Sequence, residues 1–274
     1  MAINWVDRVA THPGRVQLTP VQGQTNIYDM ERADEPTVAG TPLNAANLNA
    51  MQKNAGLDAD MTVYVAVSGS NSTGNGSSTA PYQTITKALS TIPKNLNGYT
   101  ATVNIASGTY AEQLTIKGFV GGILMLTGVA NAIVSAKSIS VAQTTSLRIE
   151  NIHLTFTQTV DFYAVYVVES VLYQRSGKIS ISNTTPGGVY ANTGALVYLN
   201  DLAVSDTIDY CVTSTNNSKV HINNATLSAS ARGLVASYGG VITYSTATNS
   251  ATVKNLTSTG GRIYSGSQTS IPNY

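Results

Sequence analysis

The sequence predicts a mainly β protein whose larger part is a right-handed parallel β-helix, a solenoid of short strands. Three observations lead there. Only 11% of the 274 residues are charged while 42% are hydrophobic, against roughly a quarter charged in an ordinary globular domain. Polarity is therefore carried by Ser, Thr, Asn and Gly, with 15 Tyr beside 3 Phe and 1 Trp, a mixture that suits strands and turns and starves long exposed helices. Finally, an apolar-x-apolar strand closed by Asn or Asp recurs in Leu147-Arg148-Ile149-Glu150-Asn151, Val197-Tyr198-Leu199-Asn200-Asp201 and Val220-His221-Ile222-Asn223-Asn224, and in weaker form at Val171 and Val241. Counted from Leu147, Val171, Val197, Val220 and Val241, the spacings are 24, 26, 23 and 21 residues. A drifting period of that size without helical periodicity is the mark of a β-solenoid.

Charge divides the chain. Residues 1–60 hold 4 basic and 7 acidic side chains, whereas residues 113–274 hold 15 charges in 162 positions. Segment 1–56 reads as short and mixed. Strand-like pieces at Arg15–Leu18 and Thr25–Tyr28 precede a helix near 42–54, in which Thr41 caps, Pro42 takes the first position, and Leu43, Leu48 and Met51 share a face. So few large apolar residues make a poor independent core, so this segment is expected to need a partner.

Residues 57–112 change character. Val63–Val67 reads as a strand, Ser68–Ala80 as a Gly/Ser/Asn loop, and Thr84–Ile92 as a short amphipathic helix stopped by Pro93. Strands follow at Val103–Ala106 and Leu114–Ile116, on either side of the turn Ser107-Gly108-Thr109-Tyr110. From 113 to 274 the repeat forms the body, with second strands at Ile152–Phe156, Ile179–Ile181, Leu202–Val204 and Ala225–Leu227. Asn and Asp at the strand ends are expected to take the left-handed backbone conformation of solenoid corners. The competing architecture, an antiparallel sandwich, would call for tight Asn-Gly or Asp-Gly hairpin turns, which are scarce after residue 100.

Chemistry is sparse. The net charge of +1 lacks the footprint of a nucleic-acid binder. The lone Cys211 rules out an intrachain disulfide and reads as a small buried hydrophobe within Tyr210-Cys211-Val212. No apolar run reaches the roughly 20 residues of a membrane span, and the N-terminus lacks a secretory pattern, so synthesis in a cytoplasm without membrane insertion is expected. The glycine-rich loop around Gly69 and Gly76 has no phosphate-binding lysine. His153 and His221 alternate with apolar neighbours and read as outward strand positions rather than metal ligands. The carboxylates Glu150, Asp161, Glu169, Asp201, Asp206 and Asp209 form no pattern demanding a paired catalytic site, so no catalytic residue, metal or cofactor is expected. The tyrosines are too many for a narrow interior; Tyr173, Tyr198, Tyr238 and Tyr244 are the candidate glycan contacts, since exposed Tyr among Asn, Ser and Thr offers ring faces with hydrogen bonds.

Two stretches resemble known families. Asn4-Trp5-Val6-Asp7-Arg8, Pro13-Gly14-Arg15, Tyr28–Glu35 and Gly40–Asn49 resemble the head of phage and prophage tail proteins, the baseplate-attached fibres of viruses of Gram-positive hosts. Tyr64–Gly76, Pro81-Tyr82-Gln83-Thr84-Ile85, Ala88-Leu89, Ser107–Tyr110 and Glu112 resemble the opening of pectin-lyase-like β-helices, whose short helix, here around Ile85 and Leu89, caps the solenoid. Asn71 and Asn75 stand where many such relatives carry Asp, which argues against calcium in that loop. The resemblance implies a homotrimeric tail fibre or baseplate receptor-binding protein in a virion tail or a phage-tail-like particle. Trp5, Arg8, Arg15, Tyr28, Leu43 and Leu48 would serve attachment to other tail proteins, and the β-helix would meet bacterial surface polysaccharide. A tailspike depolymerase on the same fold and a purely architectural baseplate piece are the alternatives.

Overall fold

The structure is a computed structural model describing residues 9–10, 16–23, 28–32, 36–38, 56–157, 163–182, 187–205, 207, 209–228 and 231–266. The chain divides into two compact units, Met1–Ala55 and Gly56–Tyr274. In the first, β1 (Val9–Ala10), β2 (Val16–Pro20), β3 (Tyr28–Arg32) and β4 (Pro36–Val38) form two small antiparallel pairs, β1 with β4 and β2 with β3. The helix expected near 42–54 lies outside the described residues.

The second unit is a parallel β-solenoid of about seven turns. It opens with β5 (Met61–Val65), the helix α1 (Ile85–Thr91), β6 (Thr100–Ile105), β7 (Gly108–Thr109), β8 (Gln113–Lys117), β9 (Ile123–Ala136) and β10 (Ser138–Ala142). The middle turns hold β11 (Leu147–Phe156), β12 (Tyr163–Val168), β13 (Val171–Gln174), β14 (Gly177–Ser182), β15 (Gly187–Asn192) and β16 (Leu196–Ser205). The last turns hold β17 (Tyr210–Ser214), β18 (Lys219–Ser228), β19 (Arg232–Ala236), β20 (Val241–Asn249), β21 (Val253–Thr257) and β22 (Arg262–Ser265). An eleven-stranded sheet runs β5-β6-β9-β11-β13-β16-β18-β20-β22, with β7 and β14 beside it, and a seven-stranded sheet runs β8-β10-β12-β15-β17-β19-β21.

Period-2 alternation builds the core in columns. Leu124, Leu147, Leu172, Val197, Val220 and Ile242 lie in register on the larger sheet, all buried. A second column, Leu154, Ile179, Leu202 and Ala225, follows farther along the same strands. The smaller sheet supplies the third, Leu114, Ile139, Val165, Val189, Val212 and Leu234. Two positions of the expected repeat move by one residue: Leu172 and Ile242, not Val171 and Val241, continue the column of Leu147. A one-residue slip exchanges the two faces of a strand, and the larger interior favours the residue that is fully buried there. Cys211 is buried, as its neighbours imply.

The corners differ from expectation. Of the Asn and Asp residues closing the repeat, Asn151 has a left-handed backbone, φ 53°. Asn200 and Asn223 instead lie within continuous strands β16 and β18, and their side chains form a ladder, Asn223 Nδ2 donating to Asn200 Oδ1 at 3.0 Å. The left-handed corner sits where the smaller sheet passes to the larger, at Gln143, Glu169, Thr193, Asn216, Asn217, Tyr238 and Thr259, with φ between 46° and 60°. A stacked turn holds these residues through backbone bonds, as Asn217 N–H to Tyr238 C=O at 3.1 Å and Gly239 N–H to Thr259 C=O at 3.1 Å. Local side-chain preference therefore does not decide where the corner falls.

One rung breaks the long strand into β13 and β14. Gln174, fully buried there, donates to the Gly177 carbonyl at 2.9 Å and accepts from Asn200 N–H at 2.9 Å and Asp201 N–H at 3.2 Å. Its carboxamide takes over backbone groups that the interrupted ladder leaves over. Gly177 has φ 79°, and a Cβ on it would stand 1.9 Å from the Ile152 carbonyl oxygen, so no side chain fits.

The opening of the solenoid is closed by α1, which packs on β5, β6 and β8 and buries Ile85, Ala88 and Leu89. Thr84 caps it by accepting from Lys87 N–H at 3.1 Å, and the Glu112 carboxylate takes Ile85 N–H and Thr86 N–H at 2.9 Å each. Those donors have no partner inside the helix, and a carboxylate at a helix N-terminus adds favourable electrostatics. Asn71 joins the loop to the same point, accepting from Gln83 N–H and Thr84 N–H.

Candidate functional site

Outward side chains of the larger sheet line up rung by rung, about 4.8 Å apart. One row reads Arg148, Tyr173, Tyr198, His221, Thr243, Tyr264. The Tyr173 and Tyr198 rings stack with centroids 4.8 Å apart and planes 14° from parallel, and His221 follows Tyr198 at 6.0 Å, tilted by 52°. Offset stacking of this kind stabilises a cross-strand pair beyond its burial. The solenoid thus places side by side two of the four tyrosines proposed from sequence. Tyr173 is nearly buried by its neighbours and Tyr198 is half-buried.

A polar relay runs beside the rings. His221 Nδ1 lies 2.7 Å from Thr243 Oγ1 and its Nε2 lies 3.0 Å from Asn223 Oδ1, while Asn223 Nδ2 donates onward to Asn200. The amide oxygen can only accept, so Nε2 carries a proton and donates to it. His221 is an outward residue, as the alternation implies, yet these partners leave it only 9% exposed. His153, on the next outward row, meets Ser180 Oγ at 2.8 Å. Burial, and then the Lys178 ammonium, hold its imidazole below the ordinary range, with Asp201 opposing them, so it is neutral at pH 7. Arg175 and Glu150 pair at 3.6 Å nearby.

The other proposed contacts lie elsewhere. Tyr238 occupies the left-handed corner and is 61% exposed. Tyr244 is in register with the inward Ile222 and packs partly buried against the core. Of the proposed attachment residues, Tyr28 opens β3 opposite Pro20 and is exposed; Trp5, Arg8, Arg15, Leu43 and Leu48 lie outside the described residues. Asp161 and Asp206 do too. Among the described residues no group of three or more His, Cys, Asp or Glu side chains is placed to hold a metal ion.

A second aromatic group, on the smaller sheet, was not resolved by sequence reasoning. Tyr166 and Tyr190 face each other on β12 and β15, and Tyr163 and Tyr210 flank Gly187. Tyr163 stacks on Tyr190 with centroids at 4.2 Å, Tyr166 lies 5.7 Å from Tyr190 and 6.3 Å from Tyr163, and all three planes lie within 26° of one another. The Arg232 guanidinium sits 5.2 Å from the Tyr210 ring centroid, within cation–π range. A Cβ on Gly187 would stand 3.0 Å from the Tyr163 ring, so the glycine leaves room for that stack. Burial, followed by Tyr190, Tyr210, Asp209 and Tyr166, pushes the Tyr163 phenol up to about 12; burial, then Tyr166 and Tyr210, raises Tyr190. The signal available in the sequence was the 24-residue step from Tyr166 to Tyr190, visible only once the third strand of each turn is recognised.

Residues 67–118 match a family described as "Protein of unknown function (DUF1565)", a family often built on a pectin-lyase-like β-helix. The matched stretch contains the loop, α1, its caps Asn71, Thr84 and Glu112, and β6 to β8. No curated protein and no solved structure matches the chain.

Proposed function

We propose that the chain is a structural and receptor-binding component of a phage tail or phage-tail-like particle, a fibre or baseplate protein that attaches to bacterial surface glycans. The observation that carries this reading is the stacked outward row Tyr173–Tyr198–His221 with its Asn200–Asn223 amide ladder. The half-buried Tyr198 ring, braced by Tyr173 and His221 and set beside neutral donors and acceptors, suits a sugar, and the solenoid carries such polar positions on from rung to rung. Residues 1–56 would grip the particle, in line with their resemblance to tail-protein heads, and three chains together would multiply weak contacts through effective concentration.

Labelled full-length chain tests this by adsorption to Gram-positive cells, with its mass measured by light scattering. A mass near three times 28.7 kDa, and adsorption that Tyr198→Ala reduces at least tenfold, are expected. A monomer that adsorbs to no cells contradicts the reading. Retention on purified baseplate proteins alone would favour the architectural alternative.

A further inference from the structure

We infer that the smaller sheet carries a second saccharide platform, built from Tyr163, Tyr166, Tyr190 and Tyr210 with Asp209 and Arg232, distinct from the row on the larger sheet. It deepens the glycan reading and rests on it for the class of ligand.

The four tyrosines span three successive rungs, β12, β15 and β17, two rung spacings or about 10 Å along the solenoid, the scale of a disaccharide, and Arg232 stands on the next rung, β19. All four tyrosines are half-buried, and the rings of Tyr163, Tyr166 and Tyr190 are nearly parallel, so these three present a fixed slab rather than mobile side chains. A pyranose offers a flat C–H face ringed by hydroxyls. The slab answers the face, and its rim answers the hydroxyls: phenol hydroxyls, a guanidinium donor and a carboxylate acceptor. Asp209 and Arg232 bring one charge of each sign to the rim, so it carries no net charge and fits a neutral sugar better than an anionic one. Thr213, next in register after Tyr190, is 5% exposed, and its hydroxyl has no hydrogen-bond partner among the described residues. The row thus carries an unpaired hydroxyl on the rung after Tyr190 and continues through Val235 to Leu256. A second copy of the chain fits less well. Stable association buries about 800 Å² on each side, and the apolar strip that continues from the slab through Val235 and Leu256 is one residue wide, with Ser138 and Ser140 on β10 and Asn192 on β15 polar.

The test is an array printed with neutral and anionic bacterial surface polysaccharides, probed with full-length chain, with Tyr190→Ala, and with Tyr198→Ala. Tyr190→Ala is expected to lose at least tenfold binding to a neutral polysaccharide that Tyr198→Ala still binds, with solution mass unchanged. If Tyr190→Ala fails to fold, Tyr190→Phe keeps the ring, removes the phenol donor and is expected to lose about threefold. Binding abolished by Tyr198→Ala but untouched by the Tyr190 variants overturns the second platform and leaves the proposed function standing. A drop in mass in Tyr190→Ala overturns it in favour of a contact between copies. Failure of the unmodified chain to bind any printed glycan overturns both.

Discussion

At the entrance of the solenoid, residues 67–118, order depends on contacts made once: Glu112 on the first turn of α1, Asn71 on the residues before it, and Tyr110 buried with its hydroxyl on the Ala106 carbonyl at 2.9 Å. In the body, residues 123–249, order depends on a contact made many times, one rung setting the register of the next. The entrance is where the chain matches a described family, and its polar residues are spent on closing the fold. The body lies outside the matched stretch, and there the outward aromatic side chains stack from rung to rung. The recognisable part of this protein is thus the part that shapes the solenoid, while the part that would set its specificity is defined by register alone.

The comparison can be broken hardest in the body. Gly177→Ala places a methyl group against the Ile152 carbonyl, and neither strand can move without disturbing its neighbours. A loss of about 3 kcal/mol or more is expected, read as a lowered urea midpoint. An entrance contact should cost less: Glu112→Ala frees two helix donors, and caps of this kind are worth about 1–2 kcal/mol. Should the Glu112 variant prove the more damaging, closure rather than register would govern stability. Alkali sharpens the same contrast. Burial, with Glu112 adding to it, pushes the Tyr110 phenol from 10.0 up to about 12. The folded state therefore holds that proton longer than the unfolded chain. Its contribution is intact below pH 10 and is lost as pH rises toward 12. Tyr110→Phe is expected to flatten the fall in stability across that window. Smallest of all, Tyr198→Ala should shift stability by only about 1 kcal/mol, since its stacking partner Tyr173 keeps its other neighbours.

Much of this was legible in the residues. Leu147, Val197 and Val220 announced the core column, and Thr84, Ile85 and Pro93 announced the capping helix. The slips at Val171 and Val241 arose because adjacent apolar residues, Val171-Leu172 and Val241-Ile242, fit either face, and burial alone separates them. The third strand of each turn stayed hidden because its pieces are short and joined by segments of unequal length. With it stayed hidden the grouping of the smaller sheet's tyrosines, which are neighbours only in register. The corner was misplaced for a related reason. Gln143, Glu169 and Thr193 carry no intrinsic preference for a left-handed backbone, and the stacked turn imposes it on them.

The central claim is that the body holds a surface polysaccharide without cutting it. The most direct measurement incubates the purified full-length chain with host surface polysaccharide and follows both retention and polymer length by size-exclusion chromatography with light scattering. The account predicts that polysaccharide elutes with the chain at unchanged length, and that Tyr198→Ala weakens co-elution. Progressive shortening of the polymer would contradict it and make the protein a depolymerase.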